Sequence, residues 1–447
     1  MEMQRQETPI YKRPAELLQK LICFNTTNPP GNEAECIGYI NNLLTQAGIQ
    51  TTILAKDPAR PNLMARLSGQ GNAPPLLLYA HVDVVSTENQ VWQHPPFEGR
   101  IENGILWGRG TLDDKGGAAM SICAFMRVKE EGLMPPGDVI LLILCDEEQG
   151  GEYGAKYLVE NHPEQFTGVR YAIGESGGFT FYINDQKFYP IMVAEKRYCV
   201  IMASVHGRAA HAASLPVHGG AAAKMGALLT RIDKARLPVH VTPVARKMIE
   251  SFSKYIPLPG NLIFRQLLNQ RLADRVLDLL GSRGLALYPL LHNSINITVI
   301  QGGEQVAGTP AKVDAGIFTM LLPGYGPEDM LSELRKIVGR EVDLEVIETG
   351  EEIPERPDMG LFSTLIEIMR EADPQGVPIP LLLTTPTDAR HFNKLGIQTY
   401  GFQPMLLPPE IDMAELAHAP NERIPVEAVE FGTQALNKVL KRFGEGK

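Results

Sequence analysis

Several histidines and carboxylates of this chain stand where they could hold a metal ion and activate water. His81-Val82-Asp83 sets an imidazole and a carboxylate two residues apart, so in extended backbone both project to the same side. A metal can take one ring nitrogen while the aspartate fixes the other; alone, such a pair serves equally as a structural contact. Gly108-Arg109-Gly110-Thr111-Leu112-Asp113-Asp114-Lys115-Gly116-Gly117 is Gly-rich, acidic and opens a helix. Asp113 or Asp114 can cap that helix. Two aspartates would repel a phosphate, whereas a hard or borderline cation suits them. Asp146-Glu147-Glu148 places three carboxylates in a row, where each raises the pKa of the next unless a cation compensates. A solvated loop is the plain alternative; in the functional reading, one glutamate ligates while its neighbour stays free as a base. His81, Asp113, Glu148, Glu175 and His418 together make two imidazoles and three carboxylates, a nitrogen and oxygen set suited to zinc or a similar first-row divalent ion.

A rival chemistry starts at Glu175. Gly174-Glu175-Ser176-Gly177-Gly178 matches Gly-x-Ser-x-Gly, and Ser176, Asp388 and His418 follow in the chain order of a serine hydrolase. That elbow needs a helix directly after the serine, and Phe179-Thr180-Phe181-Tyr182-Ile183 reads as extended.

The elements that must position these residues follow from the apolar pattern. Residues 76–80 and 139–145 are short continuous apolar runs, and 169–173 is a third run interrupted only by Arg170, as expected of strands buried on both faces of a parallel sheet. Each stops at His81, at Asp146 and near Glu175. Ligands of open α/β sheets bind at such carboxyl ends. An amphipathic helix is predicted over residues 116–130. From residue 196 the order changes to strand, helix, strand, strand, helix, strand, which predicts a ferredoxin-like domain interrupted by extra helices at about residues 233–292. The α/β pattern resumes near residue 350 and closes with a helix over 426–443.

Composition sets outer limits. In 447 residues, 44% are hydrophobic and 21% charged, enough for a large core and unlike a disordered or fibrous chain. The net charge of −10 disfavours nucleic acid and anionic membranes as partners. Five cysteines without a C-x-x-C pair read as reduced core thiols. With a polar N-terminus and no long apolar run, they predict a cytoplasmic protein.

Seven segments in register carry a resemblance. Asn25 to Glu33, His81-Val82-Asp83, Gly108 to Gly117, Asp146-Glu147-Glu148, Gly174-Glu175-Ser176, Thr387-Asp388-Ala389-Arg390 and His418 to Arg423 resemble the dinuclear zinc family of aminoacylase, succinyl-diaminopimelate desuccinylase, glutamate carboxypeptidase and carboxypeptidase S. The resemblance implies an α/β fold: a mixed-sheet three-layer catalytic domain (residues 1–195 and 350–447) with an inserted ferredoxin-like lid (196–349) through which a homodimer forms. It implies two divalent ions per subunit, zinc first, with cobalt or manganese as alternatives. His81, Asp113 and Glu175 would hold one ion, and Asp113, Glu148 and His418 the other. Asp83 would orient His81, Glu147 would be the general base, His211 would stabilise the oxyanion, and Arg390 would bind the substrate carboxylate. Two metals ~3.5 to 4 Å apart can share a water and polarise the scissile carbonyl.

Two departures bear on substrate. Ala307-Gly308-Thr309-Pro310 stands where many relatives carry Asn-Val-Ile-Pro, and Met320 stands where many carry an arginine. Losing these two lid contacts argues against a strongly acidic substrate. With the apolar segment Leu285 to Leu291, it favours an N-acyl amino acid or short peptide with hydrophobic parts; that segment reads equally as lid core or dimer interface. A serine esterase and a non-catalytic binding relative are the remaining alternatives.

Overall fold

In a computed structural model of the chain, residues 8–183, 185–213, 218–303 and 306–444 are described. Residues 1–7, part of the N-terminus read above as polar, lie outside them. The chain divides into two units: residues 1–193, 357–381 and 387–447 in the first, and 194–356 with 382–386 in the second.

The first unit is built on a mixed sheet. Its strands are β1 (Thr51–Leu54), β2 (Asn62–Leu67), β3 (Leu76–His81), β4 (Val139–Leu144), β5 (Tyr171–Gly174), β6 (Gln186–Glu195), β7 (Val377–Leu383) and β8 (Gln398–Gly401), in the order β1-β2-β4-β3-β5-β8-β6-β7; Phe181–Ile183 pairs with β6 as a ninth. The pairs β3·β4, β3·β5 and β5·β8 are parallel, while β1·β2 and β2·β4 are antiparallel. β3 and β4 are buried along their whole length, which is why they read as unbroken apolar runs. Leu77, Tyr79, Ile140 and Leu142 pack against Leu158, Phe166 and Phe392 on one face. The alternate residues point to the other face, where helix α1 (Lys115–Glu130) lies against β3 and is itself packed by the final helix α2 (Val426–Arg442). The carboxyl ends of β3, β4 and β5 therefore converge on one side, with the loop that opens α1 beside them.

Two strands carried little sequence signal. β7 reads V-P-I-P-L-L-L; its two prolines cannot donate to a ladder, and β7 is an edge strand, where proline is tolerated. β6 lies in the stretch between the extended segment after Ser176 and Lys196, where no element was predicted.

The second unit holds a four-stranded antiparallel sheet in the order Ser294–Gln301, Lys312–Leu321, Arg197–His206, Asp343–Thr349. Helices Ala221–Lys234 and Pro327–Val338 cover it, with Ile201, Leu228, Ile317, Met330 and Leu334 in the core. This is the ferredoxin-like order. Helices Pro243–Ser253, Gly260–Arg265, Ala273–Leu280 and Ser282–Leu291 form the interruption.

Candidate metal centre

His81 closes β3, and its imidazole is buried. Its Nε2 lies 3.1 Å from Asp113 Oδ1 and 3.7 Å from Glu175 Oε2. The other Asp113 oxygen, Oδ2, is 3.1 Å from His418 Nε2, which is 3.3 Å from Glu148 Oε1. Two groups of three result, His81–Asp113–Glu175 and Asp113–Glu148–His418, each with its candidate ligand atoms within 4.8 Å of one another and with Asp113 common to both. Residues 337 positions apart in the chain meet here because three strand ends and two loops share one edge of the sheet.

Each group is held from behind. The Asp83 carboxylate accepts from Asn28 Nδ2 at 2.9 Å and from the backbone N–H groups of Glu147 and Glu148 at 3.1 Å. It is 3.4 Å from His81 Nδ1, which sits closer to the Asp83 carbonyl oxygen at 3.1 Å. Asp83 thus fixes the two glutamates as directly as it fixes the histidine. Asp146 has a left-handed backbone, φ 67°, a conformation that aspartate tolerates better than most residues. It turns the chain sharply after β4, held by Asn28 Nδ2, the Tyr153 N–H and Arg60, whose guanidinium also pairs with buried Glu33. Asp146 belongs to the scaffold, not to the ligand set.

The loop that presents Asp113 closes on Glu422. This buried carboxylate accepts from the N–H groups of Gly110, Leu112 and Asp113 and pairs with Arg109 at 2.6 Å. Arg109 in turn donates to the carbonyls of His418 and Ala419. One ion pair therefore ties the loop of Asp113 to the loop of His418. Behind Asp113, a Cβ on Gly116 would stand 2.2 Å from the Thr111 carbonyl oxygen, so only glycine lets the loop turn into α1 this tightly. Asn28, Arg60, Arg109 and Glu422 had no role in the sequence reading: their partners are up to 313 residues away, and no local spacing announces them.

The electrostatics describe a site built for cations. Burial disfavours charge on His81, yet contacts with Asp113, Asp83 and Glu175 lift its pKa well above the usual range. Contacts with Asp113 and Glu148 lift His418 to about 10. Burial pushes Glu147 well above the carboxylate range, reinforced by the charge of Glu175, and burial also raises Glu148. Glu175 Oε1 is buried without a hydrogen-bond partner among the described residues, and Glu148 Oε1 has only the His418 ring, 3.3 Å away. Unpartnered buried oxygens of this kind are costly and mark a place for an ion. The donor set of two imidazoles and three carboxylates fits two divalent cations, which would balance the carboxylates and leave the imidazoles in their neutral, ligating form.

The remaining predicted residues fall outside the two groups. The Glu147 side chain is half-buried beside them and belongs to neither. Arg390, on helix Ala389–Asn393, is half-buried and donates from Nε to His391 Nε2 at 3.1 Å. Its neighbour Asp388 is buried with both oxygens unpartnered among the described residues, and burial pushes it to about 7. His211 lies in the second unit on a short ladder with Gly308, its side chain exposed and its Nδ1 accepting from the Ala213 N–H. The serine-hydrolase alternative fails on geometry. Ser176 is followed by bends and then strand Phe181–Ile183 with no helix, and the Nε2 of His418 faces Asp113 and Glu148.

Comparison with known proteins agrees with this arrangement. The model of peptidase family M20/M25/M40 matches residues 77–442. The human N-fatty-acyl-amino acid synthase/hydrolase PM20D1 is 27% identical over 386 residues, covering 83% of this chain and 75% of that protein. A probable succinyl-diaminopimelate desuccinylase of Staphylococcus aureus is 35% identical over a shorter stretch of 151 residues, 33% of this chain and 36% of the relative. Among solved structures, the M20 family metallo-carboxypeptidase Sso-CP2 of Sulfolobus solfataricus shares the fold with a TM-score of 0.68 at 16% identity, covering 98% of this chain and all of that one. The Bacillus subtilis YXEP protein, described as a dinuclear metal binding peptidase, gives 0.62 at 12% identity over 99% and 100%.

Proposed function

The chain belongs to peptidase family M20/M25/M40, and from that premise we propose that it hydrolyses the amide bond of N-acyl amino acids with an apolar acyl group and a free carboxylate. Metal-dependent hydrolysis of amides in peptides or N-acyl amino acids is the family's chemistry. The observation that carries the finer reading is the pair of ligand groups sharing Asp113, with Glu147 beside them and outside both.

Two divalent ions, zinc first and cobalt or manganese otherwise, would be held by His81, Asp113 and Glu175 and by Asp113, Glu148 and His418; when bound they polarise the scissile carbonyl and lower the pKa of water. The residues do the rest. Glu147 accepts a proton from the attacking water as its oxygen adds to the carbonyl carbon. It then delivers that proton to the leaving nitrogen as the C–N bond breaks. Burial and the charge of Glu175 favour the protonated form of Glu147, and two cations beside it would favour the ionised form that accepts the proton. Asp83 keeps His81 and the Glu147 and Glu148 amides in place. Arg390 pairs with the substrate carboxylate, and His211 donates to the oxyanion, a contribution of roughly 3 to 4 kcal/mol for one donor. The homodimer forms through the second unit, and the five free cysteines suit a reducing, cytoplasmic setting.

Support for an apolar acyl group comes from two sides. Buried Met320 and the small residues Ala307 and Gly308 offer no charge to an acidic substrate. Four of the relatives aligned over about four-fifths of this chain are named for N-fatty-acyl amino acids, and a fifth is named a probable carboxypeptidase S-like protein. The test is hydrolysis of a mixed panel of N-acyl amino acids and dipeptides, read by mass spectrometry, before and after chelation and zinc re-addition. Preferred turnover of long-chain N-acyl amino acids that chelation abolishes and zinc restores is expected. Chelator-insensitive turnover would sink the metal reading, and turnover of free dipeptides alone would sink the substrate reading.

A further inference from the structure

The net charge of −10 is an average that hides a strong local excess. Residues 233–292 carry nine lysines and arginines against four acidic residues, a net of +5, so the rest of the chain stands at −15. Those sixty residues are the helical interruption of the second unit. Between residues 241 and 273, five basic residues face one acid, Glu250. Arg246, Lys247, Lys254 and Arg265 are exposed and form no ion pair among the described residues.

The same segment leaves large apolar side chains in water. Leu258 is 71% exposed, Leu262 57% and Ile263 39%, with Tyr255 at 43%. Tyr255 and Leu258 lie in the connection between helix Pro243–Ser253 and the short helix Gly260–Arg265, and Leu262 and Ile263 lie on the latter; the two helices pack against each other. The inner face of Pro243–Ser253, with Val244, Met248, Ile249 and Phe252 buried, shows that the segment has a core of its own. The exposed leucines are surplus to that core. Isolated exposed leucines need no explanation, but a run within nine residues, flanked in the chain by exposed cations that form no ion pair among the described residues, has the composition of an interfacial membrane segment.

We propose that this insertion docks on an anionic lipid bilayer, with Leu258, Leu262 and Ile263 entering the headgroup layer and Arg246, Lys247, Lys254 and Arg265 meeting the lipid phosphates. Charge selects the partner. A two-fold contact between copies of the chain would press two segments of +5 together, whereas an anionic surface neutralises both the cations and the exposed apolar area. Copies of the chain have another surface to use: strand Ser294–Gln301 is an open sheet edge with Ile300 58% exposed. No described helix is long and apolar enough to cross a membrane, so the attachment is peripheral and reversible.

The test is co-sedimentation of the full-length protein with vesicles of phosphatidylcholine alone or mixed with phosphatidylglycerol. The expected result is binding to the mixed vesicles only, weakened by salt over the range in which ~0.1 to 1 M shortens the screening length from about 10 to 3 Å. Leu258→Glu with Leu262→Glu, and separately Arg246→Glu with Lys247→Glu, should each lower the partition by at least ~10-fold, since both apolar area and cation attraction set such binding. Both variants should keep the wild-type circular dichroism spectrum and metal content. No binding to the mixed vesicles, equal binding to both lipids, or variants that bind like the wild type would overturn the proposal. So would a lipid-free change in molar mass by light scattering in Leu258→Glu with Leu262→Glu, which would make this face a contact between copies. None of these outcomes depends on which amide the enzyme cleaves.

Discussion

Two clusters of buried ionisable side chains, one in each unit, are held in opposite ways. In the first, among the described residues, Glu175 keeps a buried oxygen with no hydrogen-bond partner, Asp388 keeps two, and Glu148 Oε1 has only the His418 ring at 3.3 Å. In the second, every member of a comparable cluster is satisfied from within. Lys196, whose ammonium burial depresses to about 7, donates to the carbonyls of His292 and Pro289. Glu333 accepts from His240 at 2.7 Å and from Asn293, and Asn293 accepts the Leu322 N–H. The His292 ring bridges Asp274 and the Tyr288 carbonyl. Displaced pKa values occur in both clusters and so do not tell them apart. Unfinished hydrogen bonding does: a cluster complete in itself holds a fold, and one left incomplete is waiting for a ligand.

The sharpest way to break this contrast is to remove the base from the incomplete cluster. Glu147→Gln should lower kcat by ~10²- to 10⁴-fold, the range for a lost general base, while metal content measured by elemental analysis stays at two ions per subunit. Retained turnover would remove Glu147 from the role proposed for it; loss of metal would make it a ligand. Next in size is the clamp behind the ions. Glu422→Gln takes the negative charge from Arg109 and disturbs the amides that hold Asp113, so metal affinity by chelator competition should fall ~10- to 100-fold, with the fully loaded enzyme keeping most of its kcat. An unchanged affinity would mean that Glu422 only stabilises the loop. In the complete cluster the same kind of change should act on stability alone. Glu333→Ala strands the donors of His240 and Asn293, costing about 1 to 3 kcal/mol each in chemical denaturation, with metal affinity unmoved.

How far the sequence carried follows the same division. The candidate ligands stood out because each lies at the end of a recognisable element: His81 ends an unbroken apolar strand, Asp113 stands before the glycines that open α1, and Glu175 follows β5. In the second unit, strands Arg197–His206 and Lys312–Leu321 and helix Pro327–Val338 lie where alternation and helical spacing predicted them. What could not be read is what holds the ligands still. Asn28, Arg60, Arg109 and Glu422 act through contacts across long stretches of chain, and a single sequence offers no period that joins residue 109 to residue 422. Asp146 could not be sorted by residue type, since three adjacent carboxylates look alike; the resemblance gave roles to Glu147 and Glu148 alone, and the left-handed turn and the bond to Arg60 give the physical reason that Asp146 is scaffold. The whole-chain charge is likewise an average, and it does not show that residues 233–292 carry a net +5.

The smallest effect is a matter of sign, and it probes whether Lys196 is as self-contained as its hydrogen bonds suggest. Its pKa falls from an ordinary 10.5 to about 7 because burial penalises the ammonium. Between those two values the unfolded chain holds a proton that the folded chain lacks, so this group makes stability rise with pH across the window, by at most one proton's worth of slope. Below about 7 both states are protonated and the contribution is flat, at its least favourable. Lys196→Met abolishes the proton and leaves the Pro289 and His292 carbonyls without their donor, a cost that does not vary with pH. The difference in unfolding free energy between wild type and variant should therefore be level below pH 7 and grow in favour of the wild type from pH 7 to 10. A difference that stays level across that range would mean that the buried amine keeps its proton, and that the complete cluster is stabilised as a charged one.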